Sequence, residues 1–191
     1  IAITFSQMGS KVLLIDTDLR NPSIHNVLGI DNSKGLTNYL AGDAKPVDIS
    51  VHTNVPHLFA VPSGPLPPNP AELLTGDKMH DLIEQAKEKF DFVVLDGPPI
   101  MDMADALVLA NIADATVLVA ESGTTRHEHL QAALKRLQTT NVTIVGGILS
   151  KFSPQSGAYS DQHSYYYYHR EESPDQGKQL KNDPIPVQKR I

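Results

Sequence analysis

The 191-residue chain contains no cysteine. That excludes a disulfide framework and any Cys-based metal site, and is compatible with a reducing cytoplasm. No apolar run approaches the roughly 18–20 residues that span a bilayer, and no signal peptide is visible. An excess of positive charge is lacking too. The formal net charge is -6 and the isoelectric point is near 5.7, so electrostatics give no support for nucleic-acid binding. Two glycine signatures are also absent. There is no Gly-x-x-x-x-Gly-Lys-Ser/Thr phosphate cradle and no Gly-x-Gly-x-x-Gly dinucleotide fingerprint. The second absence argues against a dinucleotide-dependent oxidoreductase.

Four short runs rich in Val, Ile and Leu are present, at 12–15, 92–95, 116–120 and 142–148. They do not alternate, which is the pattern of parallel strands covered on both faces. A weaker fifth candidate lies at 57–61. Between the runs, Met79, Leu82, Ile83, Ala86 and Phe90 share a helical face, with Asp81, Glu84, Lys87 and Glu88 opposite. Leu130, Ala133, Leu134 and Leu137 do the same in a later helix. Strands alternating with helices predict an α/β fold with a parallel sheet flanked by helices. The length suits one domain, residues 1–150, plus a tail, 151–191. The tail has few aliphatic residues and prolines at 154, 174, 184 and 186. Such a composition does not offset the entropy of ordering, so the tail is expected to be disordered.

The stretch 56–70 holds Pro62, Pro65, Pro67 and Pro68 between its end prolines. It reads as a rigid surface loop rather than helix or central strand. Pro70 suits the first turn of a short helix at 71–74. The chain opens on Ile1-Ala2-Ile3-Thr4-Phe5, on what reads as an apolar helix face. Gly9 ends that helix and a strand follows. A helix feeding a buried parallel strand usually has a strand before it. The expectation is therefore a fragment whose first strand and first loop lie upstream.

Two strand ends finish in carboxylates. The run at 12–15 leads into Asp16-Thr17-Asp18-Leu19-Arg20, and the run at 92–95 into Asp96-Gly97-Pro98-Pro99. Ligands of open α/β sheets sit beyond the carboxyl ends of strands, where Asp16, Asp18 and Asp96 would project if the two strands are neighbours. Mg²⁺ needs only one or two carboxylates when phosphate oxygens and waters complete its shell. A phenol, with a pKa of about 10, needs a base to accept its proton as it attacks phosphorus. One acid can hold metal while another takes that proton. Arg20 offers a fixed charge for a phosphate, or pairs with a carboxylate. The competing reading of each Asp is a turn residue or helix N-cap. The tail supplies phenols at Tyr159, Tyr165, Tyr166, Tyr167 and Tyr168. A run of aromatics is otherwise a sticky docking patch or simple low complexity. His127 and His129 stand two apart, which does not place them on one helix face and disfavours metal binding.

Together these residues resemble the bacterial tyrosine kinases. Residues 12–22 resemble their Walker A′ motif and 92–99 their Walker B. The Pro-rich segment 64–74 resembles the loop carried between the two, and the tail resembles their C-terminal tyrosine cluster. The resemblance implies a P-loop ATPase fold of the partitioning and septum-positioning type, with ATP and Mg²⁺ as cofactors. It implies Asp16 as base and Asp18 and Asp96 as Mg-associated acids. It implies Tyr159 and Tyr165 to Tyr168 as acceptors, phosphorylated in trans within a homo-oligomeric ring. A membrane-spanning polysaccharide co-polymerase segment or activator would be the partner, at the cytoplasmic face of the bacterial inner membrane. The role implied is control of capsule or exopolysaccharide polymerisation and export. At Ser150 the family often has an Asn that contacts the adenine, and a hydroxyl cannot supply both donor and acceptor of an amide. The family's Walker A motif and its arginine-bearing N-terminal helix fall outside this sequence. Two other functions share these features. A positioning ATPase would need the sheet and the acids but not the tyrosine tail. A non-enzymatic module of an export complex would use the tail for docking.

Overall fold

A computed structural model describes residues 1–101, 104–140 and 142–153. These belong to one compact unit, Ile1–Pro154. The expectations for the tail, with Tyr159 and Tyr165 to Tyr168, lie outside the described residues.

The order is α1 (Ala2–Gln7), β1 (Val12–Asp16), α2 (Ile24–Leu28), α3 (Leu36–Ala41), α4 (Pro46–Ile49), β2 (Val51–His52) and β3 (Leu58–Val61). Then come α5 (Pro70–Leu74), α6 (Asp77–Lys87), β4 (Phe92–Asp96), α7 (Asp105–Ile112), β5 (Thr116–Glu121), α8 (His127–Gln138) and β6 (Ile144–Ser150). A four-stranded sheet has the order β2-β3-β1-β4. β1 is parallel to both β3 and β4, and only the two-residue β2 is antiparallel. β5 and β6 form a separate parallel pair.

The continuous apolar run of β1 has a direct cause, since both of its faces are covered. Leu13 and Ile15 enter one cluster with Leu36, Leu40, Met79, Leu82, Ile83 and Ala86 from α3 and α6. Val12 packs with Ala2 and Leu58 in a second cluster, against Phe5, Leu14 and Val94. Successive strand residues point to opposite faces, so one run serves two cores. α6 buries Met79, Leu82, Ile83 and Ala86, the face its spacing predicts. Phe5 of α1 stacks on Phe92 of β4 with centroids 4.4 Å apart. α1 is followed by Gly9 at φ +93, a conformation that suits glycine at a helix exit.

Two expectations need correction. The weaker strand candidate at 57–61 is a strand, but within the proline-rich stretch 56–70, where no central strand is expected, β3 is interior, between β2 and β1. Its four residues, 58–61, lie between Pro56 and Pro62, so no proline removes a ladder donor. The runs at 116–120 and 142–148 form strands, but not strands covered on both faces. Val119, Val145 and Leu149 are 56–62% exposed. An apolar run shows the capacity to be buried, and neighbours decide whether it is. Gly146 and Gly147 of β6 have open space about them. A Cβ on Gly146 meets nothing within 4 Å, and one on Gly147 meets only the Leu118 carbonyl at 3.5 Å. The pair lies where the β5–β6 register shifts, between Thr116 and Val117, and a bulge accounts for glycine there.

Candidate active site

Parallel pairing of β1 with β4 brings the two carboxylate-bearing strand ends together. Asp16 and Asp96 are register partners on the last rung. Thr17 seals that rung: its amide and its hydroxyl both donate to the Asp96 carbonyl, at 3.0 and 2.7 Å. Thr17 is fully buried.

Asp16 is fully buried as well. Its Oδ2 accepts the backbone amides of Ser23 and Ile24, each at 3.0 Å, at the start of α2. Its Oδ1 is buried with no partner among the described residues. Burial pushes its carboxyl above the ordinary aspartate range of 3.8, the two amides oppose this, and the nearby Asp96 charge adds to the rise. Asp18 turns the chain: its Oδ1 accepts the amides of Arg20 and Asn21 at 3.2 and 3.0 Å. The Asp96 carboxyl is also raised, by desolvation first and the Asp18 charge second. Asp18 thus has the turn role, through one oxygen, whereas Asp16 is not a helix N-cap: Ser23 holds that position of α2, and Asp16 Oδ2 reaches it from seven residues earlier. Asp16 keeps Oδ1 free, Asp18 keeps its second oxygen, and the Asp96 carboxylate has no hydrogen bond among the described residues.

This set fits a magnesium–phosphate ligand. A buried orphan oxygen and two carboxyls whose pKa values are raised describe a site short of positive charge. Asp18 and Asp96 would hold the ion, and two carboxylates suffice when phosphate oxygens and waters fill the rest. Among the described residues, no group of three or more His, Cys, Asp or Glu side chains could hold a metal alone.

The other expected site residues fall differently. Arg20 Nε donates to Asp105 Oδ2 at 3.1 Å, so the carboxylate pairing is the one the structure shows. Ser150 ends β6, and its hydroxyl donates to the Ala120 carbonyl at 3.1 Å. It belongs to the β5–β6 pair, opposite Glu121 in register, rather than to the Asp16–Asp96 rung. His127 contacts Gln131 through Nε2 at 2.9 Å.

The Pro-rich loop leaves β3, the other neighbour of β1, and is clasped to the segment before α3. Asn32 Oδ1 accepts the Gly64 amide at 2.8 Å and its Nδ2 donates to the Gly64 carbonyl at 3.3 Å. The amides of Leu36 and Thr37 donate to the carbonyls of Pro62 and Ser63, both at 2.8 Å. Gly35 is required at the crossing, where a Cβ would stand 2.2 Å from the Pro62 oxygen and 2.3 Å from the Gly64 nitrogen. A groove of about 430 Å³ runs beside the loop, lined by residues including Asn38, Leu66, Pro68 and Leu73. It does not include the three acids.

Sequence reasoning missed Asp105, Thr17 and this clasp. Asp105 carried no local signal, because its partner lies 85 residues earlier.

A family model for an AAA domain matches residues 1–145. The chain is 40% identical over 169 residues to the tyrosine-protein kinase YwqD of Bacillus subtilis, covering 88% of this chain and 69% of that one. The kinase domain of Escherichia coli tyrosine kinase ETK superposes with a TM-score of 0.78 at 34% identity, over 86% of this chain and 65% of that domain. The septum site-determining protein MinD of Pyrococcus horikoshii, solved with Mg-ADP, superposes with a TM-score of 0.65 at 26% identity, over 78% of this chain and 60% of that one. The α/β fold is thus that of the P-loop ATPases of the septum-positioning type. No helix among the described residues is long and apolar enough to cross a membrane.

Proposed function

The chain belongs to the bacterial tyrosine-protein kinases, and on that premise we propose that it transfers the γ-phosphoryl group of ATP to tyrosine hydroxyls. The observation that carries this reading is the Asp16–Asp96 rung, with Asp18 beside it. It places several carboxylate oxygens that lack partners among the described residues at one end of a parallel sheet.

In the transfer, the phenol oxygen forms a bond to the γ-phosphorus and the bond to the leaving ADP oxygen breaks. The phenol proton goes to a carboxylate. Asp16 is assigned that role, because its raised pKa makes it a stronger base than an ordinary aspartate. Its Oδ1 is enclosed, so the proton reaches it through one water or after the cover over it shifts. Asp18 and Asp96 are assigned to Mg²⁺, which neutralises charge on the phosphates. Thr17 and the amides of Ser23 and Ile24 fix the carboxylate geometry.

The acceptors proposed are Tyr159, Tyr165, Tyr166, Tyr167 and Tyr168 of a neighbouring copy, in a ring of identical subunits. The physiological setting proposed is capsule or exopolysaccharide synthesis and export. The domain would work at the cytoplasmic face of the bacterial inner membrane, with a membrane-spanning co-polymerase segment or activator. These assignments rest on the motif resemblance and on the kinase relatives. Phosphorylating four adjacent tyrosines would add roughly -6 to -8 charges at neutral pH, beside Glu171 and Glu172. Such a segment is repelled from an acidic site, so full phosphorylation dissociates the ring.

Intact mass spectrometry with light scattering on the full-length protein tests this. Changing the five tail tyrosines to Phe removes most autophosphorylation while ATP binding and the oligomer persist. Phosphate at comparable stoichiometry in that variant would move the acceptor elsewhere, with Tyr39 the one tyrosine remaining.

A further inference from the structure

Asp105 is the first residue of α7 and is buried. Asp16 is the other buried carboxylate among the described residues. A buried carboxylate without a partner is costly. Asp105 has one, because its Oδ2 accepts from Arg20 Nε at 3.1 Å. The pair is one-sided in two respects. The Asp105 side chain is 3% exposed and that of Arg20 38%. Only the Nε edge of the guanidinium is engaged, and its two terminal amino groups make no hydrogen bond among the described residues. An arginine fork that serves only a carboxylate normally meets it with two parallel bonds.

Arg20 is anchored at its other end as well. Its backbone amide donates to Asp18 Oδ1 at 3.2 Å. The residue therefore stands two positions from Asp18 and four from Asp16, with its main chain tied to one acid and its side chain to another. The Asp105 contact also joins the loop after β1 to the helix that follows the loop after β4. Those two loops border the carboxylate rung.

We infer that Asp105 is a positioning residue, which grips Arg20 by Nε so that the terminal amino groups are left to bind a phosphoryl oxygen. The inference rests on the kinase reading for the source of that phosphoryl group, which is the nucleotide or a phosphorylated tyrosine. An arginine can serve two anions because its donors form a planar fork of fixed geometry, and a lysine cannot. With the Arg20 side chain exposed, the pair contributes little stability by itself. Holding the guanidinium in one orientation, on the segment whose main chain is tied to Asp18, is a reason to keep it.

The test uses the full-length protein. Equilibrium binding of Mg-ATP and of phenyl phosphate is measured for wild type, Arg20→Ala, Arg20→Lys, Asp105→Asn and the double variant Arg20→Ala/Asp105→Asn. Loss of a charge-assisted hydrogen bond weakens binding about ten- to hundredfold. That loss is expected in all three single variants, with Lys no better than about threefold above Ala. Loss for Mg-ATP assigns the fork to the nucleotide, and loss for phenyl phosphate alone assigns it to the phosphorylated product. In the Arg20→Ala background, Asp105→Asn should change affinity by less than about twofold, because coupled residues are not additive. A merely structural Asp105 would weaken binding in both backgrounds. That outcome overturns the inference, as does wild-type affinity in Arg20→Lys, which is decisive even where Asp105→Asn fails to fold. A wild-type protein that binds neither ligand overturns it too. Tyrosine phosphorylation by the wild type is scored separately. Its absence alongside the expected affinity losses defeats the kinase reading and leaves this inference standing.

Discussion

Asp16 and Asp96 stand opposite each other on the last rung of β1 and β4, and the carboxyl group of each is held above the ordinary aspartate range. Two acids on adjacent parallel strands repel, and among the described residues neither is paired with a cation. The fold tolerates this because Thr17 and the Ser23–Ile24 amides fix the geometry. The arrangement has consequences for stability, metal dependence and transfer.

Stability falls as pH rises through these groups. A carboxyl with a raised folded-state pKa binds its proton more tightly folded than unfolded. Its contribution is fully present below the unfolded value, 3.8, and is lost as pH climbs through the folded value. Asp16→Asn should therefore raise the melting temperature of the metal-free protein at pH 7 and have little effect below pH of about 4. Thermal melts across pH check this. An unchanged difference between the two pH values would contradict the raised pKa.

The same substitution should nearly abolish transfer. An amide keeps the shape and can still accept the Ser23 and Ile24 amides, but it cannot accept the phenol proton. Loss of a general base costs about 10²–10⁴-fold in rate. Tail labelling with radioactive ATP reads it out. Wild-type labelling in Asp16→Asn would show that another acid is the base.

Asp96→Asn should act through the ion. Its expected signature is a raised Mg²⁺ requirement for transfer, with partial recovery at high Mg²⁺. A Mg²⁺ titration of the initial rate distinguishes it from Asp16→Asn, which no Mg²⁺ concentration should rescue.

Thr17→Val removes the hydroxyl bond to the Asp96 carbonyl but leaves the backbone bond in place. The expected cost is about 1 kcal/mol in denaturant unfolding, with transfer reduced less than about tenfold, since the hydroxyl fixes the rung and accepts no proton.

Gly35→Ala should be among the most damaging small substitutions. Its Cβ would collide with backbone atoms of Pro62 and Gly64 at 2.2 and 2.3 Å, and backbone yields less readily than a side chain. A loss of about 1–3 kcal/mol or more is expected. Gly76→Ala is the control. Its nearest atom is the Leu73 carbonyl at 3.5 Å, an ordinary contact, and the expected change lies within about 0.5 kcal/mol.

Several features needed only local chemistry and were legible in the residues. The unbroken run Val12-Leu13-Leu14-Ile15 demands cover on two faces, and β1 has it. The spacing of Met79, Leu82, Ile83 and Ala86 fixes the buried face of α6. Pro70 fits a helix start because its missing amide costs nothing there. The acids at two strand ends were expected to lie together, because parallel strands present their carboxyl ends on one edge, and Asp16 and Asp96 share a rung. Tertiary structure alone decided the rest. The strand candidate at 57–61, flanked by prolines, took an interior place because β1 lay ready to pair with it. The runs at β5 and β6 were left exposed because burial depends on what lies alongside, which periodicity does not encode. Asp105 met Arg20 across 85 residues of chain. No spacing rule reaches that far: a residue's own propensities are set by its neighbours in sequence, while its charge partner is set by which strands the sheet brings side by side.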